Sequence, residues 1–271
     1  MGPTMGTDGV RGWPRRGAGR PLVLAHRGGT GPWRENTLEA FTGARHAGAD
    51  GVELDVRLAA DGVLVVHHDA LVEGAPIHAV ASVDLPRWVP TLAEVLDACT
   101  GWAVNVEIKN SPGEPGSGEA RPVAGAVADV LRRDAARSGA PLVVVSSFWP
   151  ATLEAVRAAA APVALGLLTH PALDAAGALG TAVELECAAV HLHHSQVDRA
   201  VVAEAHGLGM TVAAWTVNGD DEVLAVVDAG VDCVITDHVE STLALVGRLI
   251  DEGGPRGRLV EPPGSREQSR S

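Results

Sequence analysis

The chain has 271 residues, 46% of them hydrophobic, and a formal net charge of −13. That length and apolar content suffice for one closed core, and a single barrel of about 250 residues is an ordinary way to build it. The acidic balance excludes nucleic acid or an anionic membrane as a standing partner, because both demand a basic face, and leaves a divalent cation as a compatible one.

The first twenty residues are glycine-rich and basic, without the apolar segment of a secretory signal. Residues 1–20 and 252–271 are therefore expected as disordered tails around one domain at 21–251. No later stretch offers the roughly 18 uninterrupted apolar residues of a membrane span, so the expected compartment is the cytoplasm, with no stable membrane association. Cys99, Cys187 and Cys233 are odd in number, far apart and without a C-x-x-C spacing. They fit packed thiols better than a disulfide framework or a thiolate zinc site.

Between the tails, β-branched runs at 22–26, 52–56, 63–67, 103–108, 142–147, 163–168, 188–192, 211–216 and 231–236 alternate with alanine-rich stretches. This pattern predicts parallel strands joined by crossover helices. Only six residues, 57–62, separate the second run from the third, whereas a parallel crossover needs about a dozen or more. Those two runs must form an antiparallel hairpin that carries His68 back over the mouth. Eight parallel strands remain, which is an α/β TIM (β/α)8 barrel with a hairpin and a short insertion at its mouth.

The helices have their own punctuation. Asn36 or Thr37 is predicted to cap a helix over 38–46, with Glu39 at capping-box distance from Asn36 and Gly48 as the stop. Thr91 and Glu94 open another in the same way. The breaker cluster at 111–118, SPGEPGSG, reads as a mobile loop near the mouth.

Chemistry gathers at the strand ends, where barrels of this kind place it. Glu53 and Asp55 are two apart on one strand, so both side chains share a face. Two like charges in a lumen repel unless a cation neutralises them, and Glu107 at the end of the 103–108 run supplies a third hard oxygen donor. Such a set suits one divalent cation, Mg²⁺ or Ca²⁺. Lys109 is the only lysine beside twenty arginines, and its compact ammonium suits a phosphate oxygen next to a metal. His26 and His68, followed by Arg27 and Asp69, are candidate general acid and base. His67 should point away from His68; His191 could line the mouth, and a structural or solvated role is open to His191, His193 and His194. Glu35 either faces the site or supports the helix start, and Trp215 either walls the pocket at the mouth or packs in the core.

The ordered set His26-Arg27-Gly28, Glu35-Asn36-Thr37-Leu38-Glu39, Glu53-Leu54-Asp55, His68-Asp69, Thr91-Leu92-Ala93-Glu94, Glu107-Ile108-Lys109, Trp215-Thr216-Val217-Asn218 and Thr236-Asp237 resembles the glycerophosphodiester phosphodiesterase family. The resemblance runs over residues 21–250. It implies a TIM barrel, a divalent metal at Glu53, Asp55 and Glu107, acid-base histidines at His26 and His68, and phosphate contacts from Arg27 and Lys109. The implied substrate is a small glycerophosphodiester, cleaved to an alcohol and glycerol 3-phosphate, with water or a substrate hydroxyl as first nucleophile. Arg34 stands where the family usually has proline, and the 70–89 segment is shorter than the cap typical there. Rival readings are a lysophospholipase D-like or sphingomyelinase D-like activity, which resembles the same residue set, and a silent barrel, which would usually have lost one of these residues.

Overall fold

Short runs of valine, leucine and alanine with no solvent-facing polar side become strands covered on both faces. The computed structural model describes residues 13–14, 19–117, 120–161 and 163–251. Its strands are β1 (Leu22–His26), β2 (Gly51–Leu58), β3 (Leu64–Val66), β4 (Leu71–Val72), β5 (Ala75–Pro76), β6 (Ala103–Ile108), β7 (Leu142–Ser147), β8 (Ala164–Leu168), β9 (Ala189–His193), β10 (Thr211–Trp215) and β11 (Cys233–Thr236). The helices are α1 (Leu38–His46), α2 (Leu92–Ala98), α3 (Ala120–Ala135), α4 (Pro150–Ala158), α5 (Ala175–Glu184), α6 (Arg199–Gly207), α7 (Asp220–Ala229) and α8 (Val239–Asp251).

Strands β1, β2 and β6 to β11 pair in parallel around a ring that β1 closes against β2. This is the expected eight-stranded barrel. β3 runs antiparallel to β2, with Val56 opposite Val66, as the short link between them requires. The 70–89 insertion is compact: β4 and β5 form a small hairpin, two 3-10 turns follow at Ile77–Ala79 and Ser82–Asp84, and Val72, Ile77, Leu85 and Val89 pack with Ala59 and Val65 as a satellite core.

Strand alternation sorts the side chains. Val52, Leu54 and Val56 of β2 join the main core under the helices, so Glu53 and Asp55 between them face the lumen. Gly51 is required at the base of that strand, because a Cβ there would stand 2.0 Å from the Ala103 carbonyl oxygen of β6. The lower lumen is lined by Ala103, Ala164, Ala189, Ala213 and Cys233, and the space these small residues leave is filled by Trp13. Its backbone N–H donates to Thr211 Oγ1 at 3.1 Å, and its indole N–H donates to His191 Nε2 at 3.1 Å.

Two expectations are corrected here. Trp13 is buried in the barrel and Arg20 pairs with Asp50, so neither belongs to a disordered tail; of the expected tails, residues 1–12, 15–18 and 252–271 lie outside the described residues. The cap of α1 is Thr37, whose hydroxyl accepts from Ala40 N–H, so no Asn36–Glu39 capping box forms. The Thr91–Glu94 box is present at α2. The three cysteines are buried free thiols, as expected. No helix among the described residues is long and apolar enough to cross a membrane. Because Trp13 is 1% exposed, Trp13→Ala should lower the unfolding free energy by about 3–5 kcal/mol in urea denaturation. A loss below about 1 kcal/mol would show that the indole does not fill the lumen.

Candidate active site

At the C-terminal mouth, β2 and β6 lie in register, with Glu53 opposite Asn105 and Asp55 opposite Glu107. One carboxylate oxygen from each of Glu53, Asp55 and Glu107 falls within 4.8 Å of the others. All three residues are buried. Among the described residues Glu53 Oε1 has no hydrogen-bond partner, while Asp55 Oδ1 and Glu107 Oε1 meet only the Lys109 ammonium, at 3.3 and 2.5 Å. Burial and then the Asp55 charge push Glu53 up to about 8. Burial pushes Glu107 up to about 7 against the pull of Lys109. Burial acts on Asp55 too, but Lys109 and Arg27 outweigh it and hold that carboxyl below its usual range. Three hard oxygen donors that repel one another, one of them without a partner, fit a divalent cation.

The cations around this cluster come from loops shaped to deliver them. Arg27 leaves β1 with φ 53, in the left-handed region, and its N–H is held by the Glu53 carbonyl at 2.9 Å. The turn swings its guanidinium over Asp55, Nε to Oδ2 3.2 Å, while Nη1 pairs with Glu35 at 3.1 Å. Asn36, also left-handed at φ 58, donates its side-chain amide to Asp55 Oδ2 at 2.8 Å. Asn36 therefore serves the carboxylate cluster instead of capping the helix. Lys109 is largely buried, which makes it a partner of the cluster and not a solvated side chain.

His26 Nδ1 lies 2.8 Å from Asp237 Oδ1, and its Nε2 lies 3.9 Å from Glu53 Oε2. Burial favours the neutral ring, yet the Asp237 hydrogen bond and the Glu53 charge together raise its pKa. His68 Nδ1 lies 2.8 Å from Asp69 Oδ1, and Arg57 Nε grips the His68 carbonyl at 2.8 Å. Burial lowers the His68 pKa, and the Lys109 and Arg27 charges outweigh the opposing pull of Asp55 with it. Arg27 acts on both rings, yet their different remaining neighbours push them in opposite directions. His67 turns away, as expected, with its ring 5.7 Å from Trp88.

A cavity of about 100 Å³ joins His26, Arg27, Glu53, Glu107, Lys109 and Trp215, and Phe148 and Leu168 complete an apolar wall. Trp215 meets Phe148 edge-on at 5.4 Å and donates its indole N–H to the His191 carbonyl. A larger hollow of about 480 Å³ between the first loop, α1 and the start of α8 holds none of these ionisable groups. His191 lies within the barrel against Trp13 and not at the mouth, and burial pushes it down to about 3.

The glycerophosphoryl diester phosphodiesterase family model matches residues 26–87 and 74–241. The chain belongs to this family. A glycerophosphodiester phosphodiesterase of Caldanaerobacter subterraneus subsp. tengcongensis is 29% identical over 249 residues, spanning 84% of this chain and 98% of the relative. Among solved structures, an Oleispira antarctica phosphodiesterase in complex with the product sn-glycerol-3-phosphate superposes with a TM-score of 0.74 at 26% identity, over 84% of this chain and 97% of that one. The Thermotoga maritima glycerophosphodiester phosphodiesterase gives 0.68 at 27%, over 83% and 98%.

Within this family frame, Arg34 is not idle where proline is usual: its guanidinium lies 3.9 Å over the Trp88 ring and clamps the first loop to the insertion. The 111–117 loop is tied there too, since Arg57 Nη1 donates to Glu114 at 3.0 Å; residues 118–119 lie outside the described residues. Residue type and spacing assign no role to Asp237, Asn218, Asn105 or Phe148, although the Trp215-Thr216-Val217-Asn218 and Thr236-Asp237 motifs contain the first two.

Without a cation, Glu53 and Glu107 bind protons more tightly folded than unfolded, where their usual value is 4.5. The stability they contribute is fully present below that value and is lost as pH rises through about 7 and about 8. A divalent cation replaces those protons, so Mg²⁺ or Ca²⁺ should raise the melting temperature more at about pH 8 than at about pH 5. Equal shifts at both pH values, or an undiminished shift in Glu107→Gln, would contradict a cation site at these carboxylates.

Proposed function

We propose that this protein hydrolyses glycerophosphodiesters to an alcohol and sn-glycerol 3-phosphate. The observation that carries the reading is the meeting of an acidic cluster, two cations and an imidazole in one cavity of a barrel of this family. The product bound by the Oleispira antarctica phosphodiesterase supports the same substrate class.

Glu53, Asp55 and Glu107 would hold one divalent cation, Mg²⁺ or Ca²⁺, which when bound polarises a phosphoryl oxygen. Arg27 and Lys109 stand beside those carboxylates and stabilise the negative charge of the phosphoryl group. Glu35 holds the Arg27 guanidinium from the solvent side. His26 and His68 divide the proton transfers: one accepts from the attacking oxygen and the other donates to the leaving alkoxide, each contributing about 10²–10⁴-fold. Their opposed shifts suit such a division, because they leave His26 the more basic ring of the two. Trp215, Phe148 and Leu168 wall the pocket.

Purified protein should cleave glycerophosphocholine or glycerophosphoethanolamine with Mg²⁺ or Ca²⁺ present and lose that activity in chelator. Lys109→Met should cost about 10²–10³-fold in kcat, the scale of removing one preorganised stabiliser. Undiminished turnover in chelator would remove the cation from the mechanism, and undiminished turnover by Lys109→Met would remove the lysine. Preferential cleavage of lysophosphatidylcholine would replace the water-soluble diester by a lipid as substrate.

A further inference from the structure

We infer that Asp237, itself oriented by Asn218, fixes the tautomer and direction of the His26 ring and is a positioning residue for it. The inference rests on the phosphodiesterase reading for its kinetic consequence and on geometry alone for the tautomer. Asp237 directly follows β11, and its carbonyl is clamped by Thr30, whose N–H and Oγ1 donate to it at 2.7 and 2.9 Å. Its Oδ1 faces His26 Nδ1 at 2.8 Å, and its Oδ2 accepts from Asn218 Nδ2 at 2.7 Å.

The polarity of this chain follows from its one unambiguous donor. The Asp237 backbone N–H lies 2.9 Å from the Asn218 side chain and can only donate, so the amide oxygen of Asn218 must be the atom that receives it. Thr236 Oγ1 reaches the same oxygen at 3.3 Å. The amide N–H of Asn218 is thereby turned onto Asp237 Oδ2. An ionised carboxylate only accepts, so the neutral His26 ring must carry its hydrogen on Nδ1. Nε2 is left with its lone pair towards Glu53 and the cavity, ready to take a proton, or to give one up from the cationic ring.

An amide at position 237 inverts this order without changing size. Asn218 still donates to the side-chain oxygen at 237, so the new NH₂ faces His26 Nδ1 and compels that nitrogen to accept. The ring then holds its hydrogen on Nε2 and can neither accept there nor become cationic without a clash of donors. A comparable carboxylate-to-amide change beside the histidine of a serine protease costs about 10⁴-fold through the wrong tautomer. Exchanging both partners restores the original order: in Asp237→Asn combined with Asn218→Asp, the residue at 218 accepts from the amide at 237, whose carbonyl then faces His26.

The test uses full-length protein with Mg²⁺ or Ca²⁺. Asp237→Asn should lose about 10²–10⁴-fold in kcat with KM within a few-fold, and the exchanged double variant should regain most of it. Nitrogen-15 imidazole spectra at a pH where the ring is neutral should show the Nδ1–H tautomer in the wild type and Nε2–H in Asp237→Asn. A link that merely ties β11 to β1 would tolerate the isosteric amide. Wild-type His26 as the Nε2–H tautomer, Asp237→Asn within threefold of the wild type, or a double variant no better than the single one would each overturn the inference. The spectra need no substrate. A wild type that shows the Nδ1–H tautomer yet cleaves no glycerophosphodiester would count against the proposed function and not against the positioning.

Discussion

Three carboxylates buried within 4.8 Å of one another at the mouth of a barrel repel, and the surrounding architecture is arranged around that repulsion. Taking a charge out of water is costly unless it is paired or bound to a metal. Strand alternation forces Glu53 and Asp55 into the lumen, because Val52, Leu54 and Val56 are committed to the helix-facing core. The register of β6 then places Glu107 beside Asp55. Around them the chain brings Arg27, Lys109 and the amide of Asn36, which favour Asp55 and leave Glu53 and Glu107 with raised proton affinity. Among the described residues the cluster is only partly compensated by protein groups, which is the condition under which a cation or a proton completes it.

The loops of the mouth are tied to β2 and to one another. Two non-glycine residues with positive φ, Arg27 and Asn36, bracket the first loop, and each has its backbone or side chain tied to β2. Arg34 stacks on Trp88 and Arg57 reaches both the His68 carbonyl and Glu114, so the first loop, the insertion and the 111–117 loop brace one another. A shorter insertion than the family's usual cap is thereby still a packed unit, with a satellite core of its own. Below the mouth, small lumen residues leave a space that Trp13 fills, so the barrel is closed at the end away from the chemistry.

Much of this was legible in the residues. The alternation of Glu53 and Asp55, the strand-end position of Glu107 and the solitary Lys109 identified the cluster, and a link too short for a crossover identified the β2–β3 hairpin. What escaped has a common physical cause: a side chain whose role is set by a partner distant in sequence leaves no local signal. Trp13 sits in a glycine-rich, basic stretch and reads as tail, yet it reaches His191 across 178 positions. Asp237 stands 211 positions from His26. Asn36 carries a strong helix-cap signal that is locally correct for its type, but Thr37 takes the cap and Asp55 takes the amide. His191 alternates onto the lumen side of β9 below the mouth, a depth that periodicity does not report.

The most direct measurement is a crystal structure grown with a divalent cation and sn-glycerol 3-phosphate. The account predicts one cation with an oxygen of each of Glu53, Asp55 and Glu107 at about 2.0–2.6 Å, the phosphate against Arg27 and Lys109, and His26 and His68 on opposite sides of the phosphorus. A cation bound elsewhere, or a phosphate seated away from the Arg27–Lys109 pair while these carboxylates stay metal-free, would contradict it.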